Sequence, residues 1–187
     1  MSPMPEKKRN IYLVGMPGSG KSTIGRALAK CLRLTFIDAD HALTARTGVA
    51  IATIFELEGE AGFRQRESAL INELSQRADI LVATGGGSVL LGENRALMRA
   101  TGVVIYLRAK LDDLWARTQH DTKRPLLRAE NPRGVLASLL DIRDPLYAEI
   151  ADLVVDTAGY PKVTRLAQDI AGRLVQNHLW ETPAPLP

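Results

Sequence analysis

The stretch Gly15-Met-Pro-Gly-Ser-Gly-Lys21-Ser22-Thr23 carries the most specific chemistry in the chain. It fits G-x-x-x-x-G-K-[ST], a glycine-rich turn whose backbone N–H groups face a polyphosphate, with the positive end of a helix dipole behind them. Within it Gly18, Ser19, Gly20 and Thr23 wrap the phosphates and Lys21 reaches the β- and γ-phosphates. The Ser22 hydroxyl is the expected Mg2+ ligand, because Mg2+ prefers oxygen donors and shares them with nucleotide phosphates. The motif follows the apolar run IYLV and opens the amphipathic KSTIGRALAKCL, the strand–turn–helix context the mechanism requires. Many phosphate-loop proteins hold the metal with an aspartate ending a later strand, but here ILVA runs into Thr84-Gly-Gly-Gly. The carboxylates come instead from FIDAD, with Asp38 and Asp40 at the C-terminal edge of the second strand. With the chain expected to stay extended there, one carboxylate would serve Mg2+ and the other an acceptor hydroxyl. Asp40 also reads as the N-cap of a helix beginning HALTARTG, with His41 on the solvated face.

An acceptor bearing an acid group needs fixed cations. GEAGFRQRE offers Arg64 and Arg66, and helical periodicity puts Glu60, Arg64 and Glu67 on one face, where a carboxylate would hold Arg64 in place. A surface ion-pair network is the alternative. Gly85, Gly86 and Gly87 either admit a ligand close to the backbone or form a plain turn. Phosphoryl transfer concentrates negative charge, and Arg117, Lys123, Arg124 and Arg128 lie in or beside the polar, proline-containing run 119–131, which reads as a closing lid. In Arg143-Asp-Pro-Leu-Tyr147 the proline is expected to interrupt a helix and leave Arg143 displayed rather than buried.

These residues need a scaffold, and short β-branched runs alternating with helical stretches predict an α/β fold with a parallel sheet. Strands are expected at 10–14, 35–38, 80–83, 103–107 and 153–156, and helices at 21–31, 39–47, 50–56, 59–77, 94–100, 111–118, 132–149 and 161–178. Five strands with buried faces imply a three-layer sandwich. The proline-rich end, about 180–187, reads as a disordered tail.

At 187 residues, 45% hydrophobic, the chain is expected to form one compact domain rather than two. Its lone Cys31 cannot close an internal disulfide, and no Cys or His cluster offers metal-ligand spacing, which suggests a reduced, cytoplasmic setting without structural zinc. No apolar run approaches the ~20 residues needed to span a bilayer. The basic start MSPMPEKKRN meets only a short apolar stretch, so it reads as a frayed terminus and not a signal peptide. Net charge is +3 with signs mixed and no run of five like charges, so nucleic acid is not implied. Arginine supplies 17 of the 24 basic residues, and its planar fork suits carboxylates and phosphates.

Taken together, GMPGSGKST, FIDAD, LEGEAGFRQRE, ATGGGSV, KRPLL and RDPLYAEIAD resemble shikimate kinases, in that family's order and spacing, over residues 10 to about 176. The resemblance implies a nucleoside monophosphate kinase-like P-loop fold: a three-layer α/β/α sandwich with a five-stranded parallel sheet in order 2-3-1-4-5. Its parts would be a phosphate loop at 15–23, a substrate-binding region at about 38–67 and a lid at about 117–131. The implied activity is transfer of the ATP γ-phosphate to the 3-hydroxyl of shikimate, a carboxylated cyclohexene triol, on the route to chorismate and aromatic amino acids. Carried over, Asp40 binds the shikimate hydroxyls and takes the transferred proton, and Asp38 reaches Mg2+ largely through water. Arg64 and Arg143 grip the carboxylate with the backbone around Gly86, Arg124 approaches the transferring phosphate, and Arg117 lies along the adenine. Catalysis would then rest on Lys21, Asp40 and Arg124, in a cytoplasmic monomer acting on shikimate and ATP. A gluconate or nucleoside monophosphate kinase of the same fold, or a nucleotide switch without an acceptor, are the competing readings. The first lacks the combined FR, GGG and RPLL set, and the second finds no N-K-x-D guanine-reading motif here.

Overall fold

The protein is described from a computed structural model covering residues 10–120, 130–160 and 162–181. Five strands form one all-parallel sheet in the order β2-β3-β1-β4-β5. These are β1 (Asn10–Val14), β2 (Thr35–Asp38), β3 (Ile80–Ala83), β4 (Gly102–Arg108) and β5 (Leu153–Asp156), each within a residue of the expectation. Parallel pairing demands long crossovers. Seven helices supply them among the described residues: α1 (Lys21–Leu32), α2 (Ala39–Thr47), α3 (Ile51–Ser75), α4 (Gly92–Thr101), α5 (Leu111–Thr118), α6 (Pro132–Ile150) and α7 (Val163–Gln176).

The period-two alternation of the central strands sorts the core into two halves. Tyr12, Val14, Val82, Val104 and Tyr106 face α3, α4 and α6 through Ile71, Met98, Leu136 and Tyr147. Ile11, Leu13, Leu81, Ile105 and Leu107 face α1 and α7 through Leu28, Ile170 and Leu174. That is the expected three-layer sandwich. Each fully buried aliphatic side chain contributes about 1.5–3 kcal/mol, which is what holds helices on both faces of a short-stranded sheet. The lone Cys31 is exposed near the end of α1.

Three local departures matter for the site. The helices expected at 50–56 and 59–77 run together as α3, bent at Gly59, whose φ of 68° and ψ of −176° lie where a side chain is strained. Pro145 does not interrupt α6. Both Pro145 and Asp141, the residue whose carbonyl loses its helical partner, are exposed, so solvent can replace the missing bond. A short 3₁₀ turn at Ser88–Leu90 follows the three glycines and was not expected. The center of the expected lid, including Lys123, Arg124 and Arg128, and residues 182–187 of the expected tail lie outside the described residues.

Candidate active site

The phosphate loop leaves the end of β1 and turns into α1, with Gly18 at φ 83° and the helix N-cap Gly20 at φ 93°. Lys21 lies back along this loop, Nζ donating to the carbonyls of Gly15 at 2.7 Å and Met16 at 3.0 Å. Ser22 donates to Asp38 Oδ2, while Asp38 Oδ1 accepts from the His41 amide at 3.1 Å and caps α2. The cap is therefore Asp38, not Asp40. The chain is already helical at Asp40, so the two carboxylates are separated by the strand-to-helix transition and not by an extended strand. Gly18, Gly20, Lys21, Ser22, Thr23, Asp38, Asp40, Thr84 and Gly86 line one cavity of about 220 Å³. Ser19 is buried in the loop with its hydroxyl unbonded, and Arg117, exposed on the last turn of α5, donates to the Gly18 carbonyl at 3.1 Å.

The fit to Mg2+ follows from the donor set. Ser22 and Asp38 place a hydroxyl and a carboxylate together, and among the described residues no group of three or more His, Cys, Asp or Glu forms a cage of its own. Such a partial oxygen set suits a cation that shares its shell with water and nucleotide phosphates.

Beyond the cradle lies a buried cluster of charge. Arg64 is 9% exposed, and on α3 its guanidinium donates to Glu67 Oε2 at 2.7 Å and to Glu60 Oε1 at 3.1 Å. Burial works against the Arg64 charge, but Glu67 and then Glu60 hold its pKa above the ordinary value. Glu67, 3% exposed, is pushed upward by burial and by the neighboring Asp40 charge, against the pull of Arg64 and Arg143. Its second oxygen, Oε1, has no hydrogen-bond partner.

The three glycines make room for this cluster. A methyl group on Gly87 would collide with the Arg64 guanidinium, and one on Gly85 with Glu67 Oε1. A Cβ on Gly86 would lie 2.9 Å from Pro17 Cδ and 3.4 Å from Arg143 Nη1. None of the three has a positive φ, so close approach and not backbone freedom requires glycine here. Arg143, expected to be displayed, is 2% exposed with Nε unbonded. The unbroken α6 turns it inward with Leu136, Tyr147 and Ile150, at helical spacing.

Most of the sequence-derived candidates thus converge. The loop residues, Asp38, Asp40, Gly86 and Arg117 meet at the cradle, while Arg64, Gly85 and Arg143 lie around Glu67 and Gly87 lies against Arg64. Arg66 does not join them. It faces outward and pairs with Glu58 at 2.7 Å, the surface ion pair that was its alternative reading. Two polar residues went unassigned in the sequence. Tyr147 donates to the Gly86 carbonyl, and its place four residues after Arg143 was the available signal. Asn94 is 1% exposed; it donates to the Ser88 carbonyl and accepts from Ser68, which no sequence spacing announces.

Comparison with known proteins follows the same lines. The family model described as shikimate kinase matches residues 17–177. The shikimate kinase of Bordetella pertussis is 56% identical over 154 residues, 82% of this chain and 73% of the relative. That of Burkholderia lata is 52% identical over 165 residues, 88% and 89% of the two chains. Among solved structures, the shikimate kinase of Acinetobacter baumannii in complex with shikimate superposes with a TM-score of 0.88 at 44% identity, covering 92% of this chain and 96% of that one. A gluconokinase of Sinorhizobium meliloti, at TM-score 0.60 and 21% identity over 92% and 97%, shares the fold alone. A phosphate cradle beside two inward-turned arginines, together with matches of this extent, places the chain in the shikimate kinase family.

Proposed function

We propose that the protein transfers the γ-phosphate of ATP to the 3-hydroxyl of shikimate, releasing shikimate 3-phosphate and ADP in aromatic amino acid biosynthesis. The observation that carries this reading is the pair Arg64 and Arg143, buried from two different helices on either side of the glycine turn and next to the phosphate loop. Two fixed guanidinium groups suit a carboxylate, and nothing in a nucleotide switch would call for them.

Arg64 and Arg143 bind the shikimate carboxylate, with Gly85, Gly86 and Gly87 as the wall against which the ring rests. Asp40, in the cavity shared with the loop, accepts hydrogen bonds from the ring hydroxyls and takes the proton of the attacking 3-hydroxyl. Gly18, Ser19, Gly20 and Thr23 wrap the phosphates of ATP, and Lys21 leaves its loop carbonyls to follow the β- and γ-phosphates. Arg117 borders the adenine side. Arg124, outside the described residues, is assigned to the transferring phosphate. Ser22 and Asp38 would hold Mg2+, which supplies charge neutralization at the β- and γ-phosphates when bound. The contribution of the protein is mostly positioning and electrostatics. No helix of the described residues is long and apolar enough to cross a membrane, and we place the enzyme in the cytoplasm as a monomer.

The test is ADP release in a coupled assay with ATP and Mg2+, adding shikimate, gluconate, a nucleoside monophosphate or nothing. Turnover with shikimate alone is the expected result. ADP formed equally without any acceptor would leave the nucleotide site standing and remove the roles of Asp40, Arg64 and Arg143.

A further inference from the structure

Tyr147 has no part in the roles above, yet its hydroxyl touches two pieces of the site. It is fully buried on α6. The phenol donates to the Gly86 carbonyl at 2.5 Å and lies 3.7 Å from Met16 Sδ, in the loop that enters the cradle. One helical turn earlier, Arg143 reaches over the same glycine. The Tyr147 ring packs on Tyr106 with centroids 5.0 Å apart, and Tyr106 is itself bonded to Asp144, so the ring has little freedom to swing away.

Three consecutive glycines leave their turn with more conformational freedom than any other tripeptide would. The peptide unit is planar, so a fixed carbonyl on Gly86 also fixes the N–H of Gly87. Gly87 is the residue on which the Arg64 guanidinium packs. One hydroxyl therefore sets the backbone between the two arginines. Burial pushes the Tyr147 pKa well above its ordinary value, against the pull of the Arg143 and Arg64 charges, so the phenol remains a donor throughout the neutral range.

We propose that Tyr147 is a positioning residue, which holds the Gly86–Gly87 peptide and Arg143 in the arrangement that binds the carboxylate of the acceptor. The proposal rests on the reading of Arg143 and the glycine turn as the acceptor's wall.

Steady-state kinetics on Tyr147→Phe, with shikimate and ATP varied independently, provide the test. Loss of one partner of a buried carbonyl should raise the KM for shikimate at least about fivefold, with the KM for ATP unchanged. Tyr12→Phe is the control, since its hydroxyl sits in the same core but bonds Thr101 at the far end of the sheet; it should lose thermal stability without altering the shikimate KM. An unchanged shikimate KM in Tyr147→Phe, or an equal rise in Tyr12→Phe, overturns the proposal. Should Tyr147→Phe not fold, the hydroxyl proton resonance of Tyr147 in the wild type decides: it should shift on adding shikimate and not on adding ADP, and no shift with shikimate is equally fatal. A wild type that turns over ATP without shikimate dependence would instead remove the underlying function, a result readable before any variant is made.

Discussion

Arg64 and Arg143 differ in what holds them. Arg64 has two carboxylates of its own on α3, whereas Arg143 keeps an unbonded Nε in a buried setting. A charge-assisted contact contributes about 1.5–3 kcal/mol, so either arginine changed to Ala should weaken shikimate binding about 10- to 150-fold and leave ATP binding near wild type. Titration calorimetry with each ligand checks this, and equal losses for both ligands would show general unfolding instead. Lys21 is assigned to the nucleotide side of the proposed reaction. Lys21→Ala should lower kcat by about 10²-fold or more, as removal of one preorganized donor does elsewhere; a rate within a few-fold of wild type would contradict the assignment. At this scale the shape of the phosphate loop was legible, since its motif fixes the turn and the helix that follows it. Arg143 was legible as a cation but not as a buried one. Burial depends on which face of α6 meets the sheet, and Pro145 pointed to a break that the exposed Asp141 turn tolerates. Asn94 and Tyr147 escaped because each donates to a backbone carbonyl, which every sequence contains.

Among the elements, α3 does most to shape the acceptor side. Its bend at Gly59 separates the segment at 51–58 from the one that carries Arg64 and Glu67 under the glycine turn. Gly59→Ala would force a side chain into a backbone region costing about 1–3 kcal/mol, and the loss should appear in denaturant unfolding. There is open space around the glycine, so a loss near zero would mean the bend can relax. The same helix carries a pH-dependent term. Burial raises the Glu67 pKa, so the fold favors the protonated acid; that contribution is complete below the unfolded value of about 4.3 and lost as pH rises through the folded one. The melting temperature of Glu67→Gln should therefore gain on that of the wild type between about pH 4 and neutrality. A gap narrowing over that window would show that the pair with Arg64 outweighs burial. Strand positions were read almost to the residue because both-face burial leaves uninterrupted apolar runs, as in IYLV and ILVA. The short 3₁₀ turn after Gly87 was invisible, since the two bonds that close it, from Ser88 to Gly85 and from Leu90 to Gly87, are main-chain.

For the molecule as a whole, the candidate site draws on both helical layers, since the cradle heads α1 while the arginines come from α3 and α6. Binding should then stabilize one cooperative transition. Shikimate at a hundred times its Kd adds about 2.7 kcal/mol, which for a chain of this size corresponds to a rise of roughly 5–10 °C in a single melting step. Two separate steps, only one of them shifted, would show that the layers unfold independently. The order 2-3-1-4-5 places β1 at the center, where Leu13 pairs with Ala83 and Val14 with Tyr106. During synthesis the cradle strand therefore leaves the ribosome without either neighbor, and its second one is complete only when Arg108 has been added. At about 5–20 residues per second that interval lasts roughly 5–20 s. Until Ala83 is made IYLV has no strand beside it, so the newborn chain carries a bare apolar segment well before it can hold a nucleotide.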